Sequence, residues 1–415
     1  MAVKLGNGNW AVKEDKLLAY NDNSGLFFNK EFDFSRGSTA TYVGRDGLIA
    51  SAASGVPRID FTNDTKGHLL LEPSRTNQIT YSNGFDDSSW QKSAVNVTAN
   101  AGISPDGTNN AYLIEAQSST SQHRVRKTNA PPTTVSASIF AKKGTTDYAY
   151  FFCGGGSKAI QAIFDLSDGS VTDSVGFNAT LTSASSVSLG NGWYRLQLSG
   201  SFVTAPTNRI GIIPYYQSTI NGNPDTGWLG NGESIYIYGA MEENNSYPTS
   251  YIPTTGATST RNADVCNNSG SAQDFNDSEG VLYAEIAGLA EDIGASKNFA
   301  ISDGTNNNAV KFVFKIAGSQ IGLILRSNAT TTVSMTYNMP VSNFFKMAFK
   351  YKANDCALWV NGTEVLTDTN ATMPLALSTL QFDRGDGAND FIGKVRNVQV
   401  FTEALTDEQL EKLTS

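Results

Sequence analysis

Histidine is nearly missing from this chain: His68 and His123 are the only two in 415 residues. Nucleophilic catalysis of the serine or cysteine type needs a base beside the nucleophile. Neither histidine lies in a motif that supplies one, so both read as packing or surface residues. Cysteine is equally sparse. Cys153, Cys266 and Cys356 are odd in number and far apart, which is no disulfide framework and contains no CxxC zinc spacing. The spacing fits assembly in a reducing cytosol. Charged residues make up only 17% and the net charge is −9. Phosphate binding needs clustered cations, so nucleic acid is excluded as the main ligand. The densest basic stretches, Lys142-Lys143 and His123 to Lys127, read as solvated strand faces. No apolar run approaches 18 residues, so membrane insertion is not expected, and the N-terminus lacks the charged and apolar regions of a signal peptide.

What the chain has is glycine, with 38 copies, and abundant β-branched and aromatic residues between polar turns. That composition predicts an all-β protein. The clearest stretch lies near the C-terminus. From Phe345 to Lys352, large apolar residues alternate with lysines and one alanine, as in a strand with one buried face. Cys356 to Val360 forms the next strand. Asn361-Gly362 then marks a type I′ hairpin, because both residues tolerate positive φ. Gly393 to Phe401 alternates again, with a register slip expected near Asn397. Thr406 and Gln409 form a capping box for one short C-terminal helix, with Leu405 and Leu410 placed as a hydrophobic staple.

Ala357 to Thr363, Phe391 to Val395 and Val398 to Leu410 together resemble the laminin-G/concanavalin-A-like lectin superfamily. The resemblance implies a β-sandwich lectin domain over residues 263–415. The linker-like seam from Thr254 to Asp277 precedes it.

Two further resemblances lie upstream. Arg36 to Thr41, Gly47-Leu48-Ile49, Pro57-Arg58 and Leu69 to Asn77 occur in an order that resembles an N-terminal module of tailed-bacteriophage virion proteins. It implies a virion-attachment module over residues 1–80. Within it, Arg36, Arg58, Glu72 and Arg75 read as buried ion pairs that fix loops. Residues 81–262 show Phe85 to Trp90, Pro105 to Thr108, Ser138 to Lys142, Phe164 to Leu166, Gly192 to Arg195 and Gly239 to Glu242. That series resembles the carbohydrate-binding-module-like jelly roll of phage tail and head-fibre proteins. The exit from Tyr247 to Thr254 is expected to return along the body of that domain.

Sugar binding needs an exposed aromatic plate with amides or carboxylates beside it. Trp228, with Tyr215, Tyr216, Asp225 and Asn231, is the best set for that role. Trp193 and Trp359 read as core. Asp383, Asp386 and Asp390 sit in a Gly-rich turn; oxygen ligands there could hold Ca²⁺, and an ordinary Asp/Gly turn is the alternative. No other cofactor is implied. The carboxylate run of glycoside hydrolases on this fold, Glu-Xaa-Asp-Xaa-Glu, does not occur.

The resemblances imply a non-enzymatic surface protein of a phage particle, a head or tail fibre or decoration subunit, made in the host cytoplasm. Its partners would be other virion structural proteins and a host cell-surface glycan, and the resemblance implies a homotrimer. A capsular depolymerase and a decoration protein that binds no glycan are the alternatives.

Overall fold

The computed structural model describes residues 3–7, 10–13, 16–19, 31–128, 131–155, 157–207, 209–220, 226–289, 296–315 and 319–415. The protein is all-β apart from one described helix, Asp407–Thr414. It divides into two compact units. The first comprises residues 1–39, 52–73 and 262–415; the second comprises 40–51 and 74–261. The block 1–80 is therefore shared between the units. The physical reason is strand pairing across long separations. His68–Leu71 pairs with Gly393–Phe401, and Val265–Asn267 pairs with Glu31–Ser35.

The first unit is built on a sandwich of two antiparallel sheets, with a smaller antiparallel sheet in the order Trp10–Lys13, Lys16–Ala19, Glu31–Ser35, Val265–Asn267. One runs in the order Thr363–Asp368, Cys356–Val360, Phe345–Lys352, Glu279–Gly288, Gly393–Phe401, His68–Leu71, Ile59–Asp60. Its partner sheet runs Thr330–Asn338, Gln320–Ser327, Ala309–Lys315, Lys297–Ser302, Thr379–Gln381. Alternation decides which side chains meet between them. Met347, Phe349 and Tyr351 pack with Leu282, Ile286, Phe312 and Leu323 in one continuous apolar cluster. The opposite face of the larger sheet is also apolar, because the helix covers it. Leu410 packs there with Val281, Tyr283 and Trp359.

The local signals have the conformations they require. Asn361 and Gly362 have φ of 47° and 81°. Glu285 faces Asn397 while Ile286 faces Val395, so the register slips at Arg396. The Thr406 side chain accepts from the Gln409 amide, and the Gln409 side chain accepts from the Thr406 amide.

A buried charge network holds the first unit's loops. Arg36 Nη1 is 3.0 Å from Asp264 Oδ1, and Arg58 Nη1 is 2.8 Å from Glu72 Oε2. Asp264 Oδ2 lies 2.5 Å from Arg58 Nη2 and 2.8 Å from the Glu72 amide nitrogen. All four side chains are buried. Burial opposes the charge on Arg58, but the two carboxylates outweigh it and raise its pKa. Arg75 does not join this network. It lies in the second unit, where its guanidinium donates to the Tyr247 hydroxyl and stands 5.6 Å from that ring.

The second unit is a jelly-roll sandwich of two six-stranded antiparallel sheets. The first runs Trp90–Ser93, Arg124–Lys127, Ile210–Tyr215, Tyr148–Gly155, Lys158–Asp165, Val171–Phe177. The second runs Val95–Gly102, Ala111–Ala116, Ser234–Glu243, Thr134–Lys143, Trp193–Ser201, Thr180–Gly190. Val135, Ala137 and Ile139 face Phe151, Ile160 and Ile212 across the core. The exit segment returns along the outside of the second sheet. Tyr251 and Ile252 pack there on Phe140 and Tyr238, and Asn77 donates to the Ile252 carbonyl.

Candidate functional site

The aromatic site of the second unit is built on a strand end. Along Ile210–Tyr215, alternation turns Ile213 and Tyr215 to the outer face of the sheet. They pack there with Tyr150, Phe152 and Ile163. Thr146 Oγ1 donates to the Tyr215 carbonyl at 2.5 Å and fixes the strand end. Trp228 arrives from a short strand, Trp228–Leu229, that pairs with Thr120–Ser121. Its ring is edged by His123, with centroids 4.5 Å apart, and His123 Nε2 lies 3.1 Å from its carbonyl oxygen.

Tyr216 covers this floor. Its ring centroid is 4.7 Å from that of Trp228 at 32°, and 4.9 Å from that of Tyr215 at 62°. Exposure separates the three rings. Tyr216 is 43% exposed, whereas Trp228 is 9% and Tyr215 5%. The plate that meets solvent is therefore Tyr216, with Trp228 and Tyr215 as its support. The loop composition around Trp228 suggested exposure, but His123, 105 residues away, closes over that ring.

The polar residues of the set are only partly assembled. Gln217, which sequence reasoning passed over, donates from Nε2 to the Tyr215 hydroxyl at 3.3 Å and to the Thr219 carbonyl at 2.9 Å. Asn231 is exposed, and its backbone N–H donates to Glu233 Oε2 at 2.7 Å. Asp225 lies outside the described residues. An exposed ring bordered by an amide suits a ligand with one C–H face and hydroxyls at its rim.

A second concavity, about 370 Å³, also lies in this unit. Leu48, Ile103, Leu189 and Trp193 line it with Lys142 and Asn191. Trp193 is buried, and its indole N–H donates to the Ile103 carbonyl at 3.0 Å.

Two aspartates of the Gly-rich turn take different partners. Asp386 turns to Arg384, with contacts of 3.1 and 2.7 Å. Asp383 is buried and accepts from the Gly385 amide, which is the behaviour of a turn-capping side chain. Burial raises the pKa of both Asp383 and Asp390. Among the described residues no group of three His, Cys, Asp or Glu side chains is placed to hold a metal ion. Asp386 leaves the expected calcium set because a guanidinium two residues away offers a bidentate partner.

The remaining titratable groups are interior. His68 is buried, with Nδ1 3.1 Å from Asp64 Oδ2. Asp64 in turn receives Arg396 Nε at 2.9 Å. All three cysteines are free and buried. Cys153 Sγ lies 3.9 Å from Glu242 Oε2, and Glu242 pairs with Arg209. Burial raises Glu242 to about 7, although Arg209 works against the rise. Among the described residues no helix is long and apolar enough to cross a membrane.

Residues 290–411 match the family described as the concanavalin A-like lectin/glucanases superfamily, laminin-G type. The C-terminal part of the chain is thus lectin-like in sequence as well as in fold. No curated protein matches the sequence. Among solved structures, the chain is similar to the CBM40 of the Ruminococcus gnavus IT-sialidase bound to α2,3-sialyllactose. The identity is 16% over 36% of this chain and 94% of that one, with a TM-score of 0.30. Domain 4 of a GH43 extracellular arabinanase from Geobacillus stearothermophilus, in complex with arabinotriose, shares 16% identity over 41% of this chain and 84% of that one, TM-score 0.29. Domains LG4-5 of the mouse laminin α1 chain share 11% over 80% and 94%, TM-score 0.23. Scores this low carry no assignment of ligand or activity.

Proposed function

We propose that the protein is a non-enzymatic glycan-binding protein carried on the surface of a tailed-phage particle. The observation that carries the glycan reading is the lectin-family match over residues 290–411, all of which belong to the first unit. Fold alone does not fix function, so a site is needed. Tyr216 on its Trp228 support is the one we assign, and it belongs to the second unit. The virion reading rests on the ordered run from Arg36 to Asn77. In the fold, Arg36, Arg58 and Glu72 of that run are locked by Asp264. Multiple copies on a particle would offset weak single contacts.

The test is binding of the whole chain to purified bacterial surface polysaccharides, with Tyr216→Ala alongside. Binding by the wild type that weakens in the variant supports the reading. Silence across the panel from a folded wild-type protein contradicts it. The particle assignment is tested by immunogold labelling of intact virions with antibody to the chain: surface label supports it, and label confined to host cytosol contradicts it.

A further inference from the structure

The concavity beside Trp193 is assembled by three segments that are tied to one another. Trp193 donates its indole N–H to the Ile103 carbonyl at 3.0 Å, and the Ile49 amide donates to the Pro105 carbonyl at 2.8 Å. Leu48 is fixed in turn by Asp46, whose Oδ1 accepts its amide at 3.0 Å. The turn Gly190-Asn191-Gly192, with φ of 84°, 51° and 77°, brings Asn191 to the rim. All of these residues belong to the second unit. At about 370 Å³ the space falls near the lower end of the roughly 300–1,000 Å³ of small-ligand clefts, enough for a single ring.

Its walls are apolar. Leu48, Ile103, Leu189 and Trp193 line it, and no Asp or Glu is among the described lining residues. The acids next to it in sequence are engaged in their own turns. Asp46 caps the Leu48 amide, and Asp106 accepts from Ser104, Thr108, Asn110 and Tyr238. One cation enters, Lys142. It stands opposite Trp193 in the strand register, two residues from Phe140, so alternation turns it to the outer face that Phe140 and Trp193 share. Its stem passes over Gly192, with Cε 3.5 Å from where a Cβ on that glycine would sit.

Every other lysine of this unit has an oxygen to donate to. Lys92 reaches the carbonyls of Asp86 and Asp87, and Lys127 reaches the Ser89 hydroxyl. Lys143 pairs with Asp147, and Lys158 donates to Thr204. Among the described residues, the Lys142 ammonium has neither a hydrogen bond nor an ion pair, although the residue is half-buried. The exposed Asn191 amide likewise bonds to none of them. A half-buried ammonium beside an apolar wall gives up hydration that nothing in the protein replaces, and a bound anion would restore it.

We propose that this pocket takes one hexuronic acid unit of an acidic polysaccharide, with the carboxylate on Lys142, a hydroxyl on Asn191 and the C–H face of the ring on Leu48, Ile103 and Leu189. The inference rests on the glycan reading above and assigns a second site, distinct from Tyr216. A single ammonium suits the single charge of a carboxylate. Phosphoryl groups draw several donors at once, and no second cation is among the described lining residues. Ile103 is 58% exposed, so the apolar wall continues to the mouth, where the next sugar of a chain would lie.

Titration calorimetry of the full chain with oligogalacturonate, oligomannuronate and oligoglucuronate, each beside its methyl ester, tests the proposal. Esterification removes the charge and keeps the rings. The wild type should bind at least one acid about tenfold more tightly than its ester. Lys142→Met keeps the stem over Gly192 and should lose that preference at an unchanged melting temperature. Equal affinity for acid and ester overturns the proposal, as does an acid preference that survives in Lys142→Met or a folded wild type that binds none of the acids. If a neutral polysaccharide is bound through Tyr216 alongside any of those results, the glycan reading stands and this site falls. Silence toward neutral and acidic polymers alike overturns both. Should Lys142→Met fold poorly, reductive methylation of the wild type decides. Lys142 shielded by the bound oligomer while Lys143 still reacts supports the site, and equal labelling of Lys142 with and without oligomer overturns it.

Discussion

Arg58 and Asp264 stand 206 residues apart in the chain and form a buried ion pair at 2.5 Å. Asp264 also receives Arg36 and caps the Glu72 amide, so one carboxylate joins three segments of the first unit. Removing it leaves two buried guanidiniums short of their counter-charge. Asp264→Ala should therefore destabilise this unit by about 3–5 kcal/mol. Glu72→Ala, which removes one of the two carboxylates paired with Arg58, should cost less. Calorimetric unfolding of the intact chain checks the order, and equal small losses would contradict the network's role.

Tyr216 and Trp228 should separate binding from stability. Tyr216→Ala removes an exposed ring, which should weaken glycan binding by about 1 kcal/mol, roughly fivefold, with little change in melting temperature. Trp228→Ala empties a buried position and should cost about 3–5 kcal/mol of stability. Titration calorimetry paired with thermal unfolding distinguishes the two.

Glu242 gives the second unit a pH dependence. Its native pKa is raised from 4.5 to about 7 because burial penalises its charge more than Arg209 and Cys153 relieve it. Between those values the folded state binds the proton more tightly than the unfolded chain. The contribution to stability is complete below about pH 4.5 and is lost as pH rises through about 7. Wild type minus Glu242→Gln, followed by urea midpoint, should show that slope. A difference that stays flat across the window would contradict it.

The helix cap is a local test. Thr406→Ala removes the acceptor of the Gln409 amide and should cost about 1 kcal/mol. Thr406→Ser should restore most of it. Loss of Leu410 packing against Tyr283 and Trp359 would follow any fraying.

The parts of the fold legible in the sequence were those fixed by neighbours in the chain. Phe345–Lys352 showed its buried face by period two, and Asn361-Gly362 and Thr406 to Gln409 carried their own geometry. Long-range partners left no such trace. Nothing about Asp264 in the sequence points to Arg36 and Arg58, more than 200 positions earlier. Likewise the burial of Trp228 depends on His123 and Tyr216, and loop composition says only that turns surround it. Residues 1–80 look contiguous because the motifs follow one another. Their strands close sheets with partners as distant as Gly393–Phe401.

Holding polysaccharide while leaving it intact is what separates the proposed adhesin from a depolymerase. Incubating the purified protein with immobilised capsular and cell-wall polysaccharides, and scoring retained protein and released reducing ends in the same wells, tests it most directly. Retention on at least one polymer is expected, reduced in Tyr216→Ala, with no reducing ends above buffer. Release of reducing ends, or a folded protein retained on none of the polymers, would contradict it.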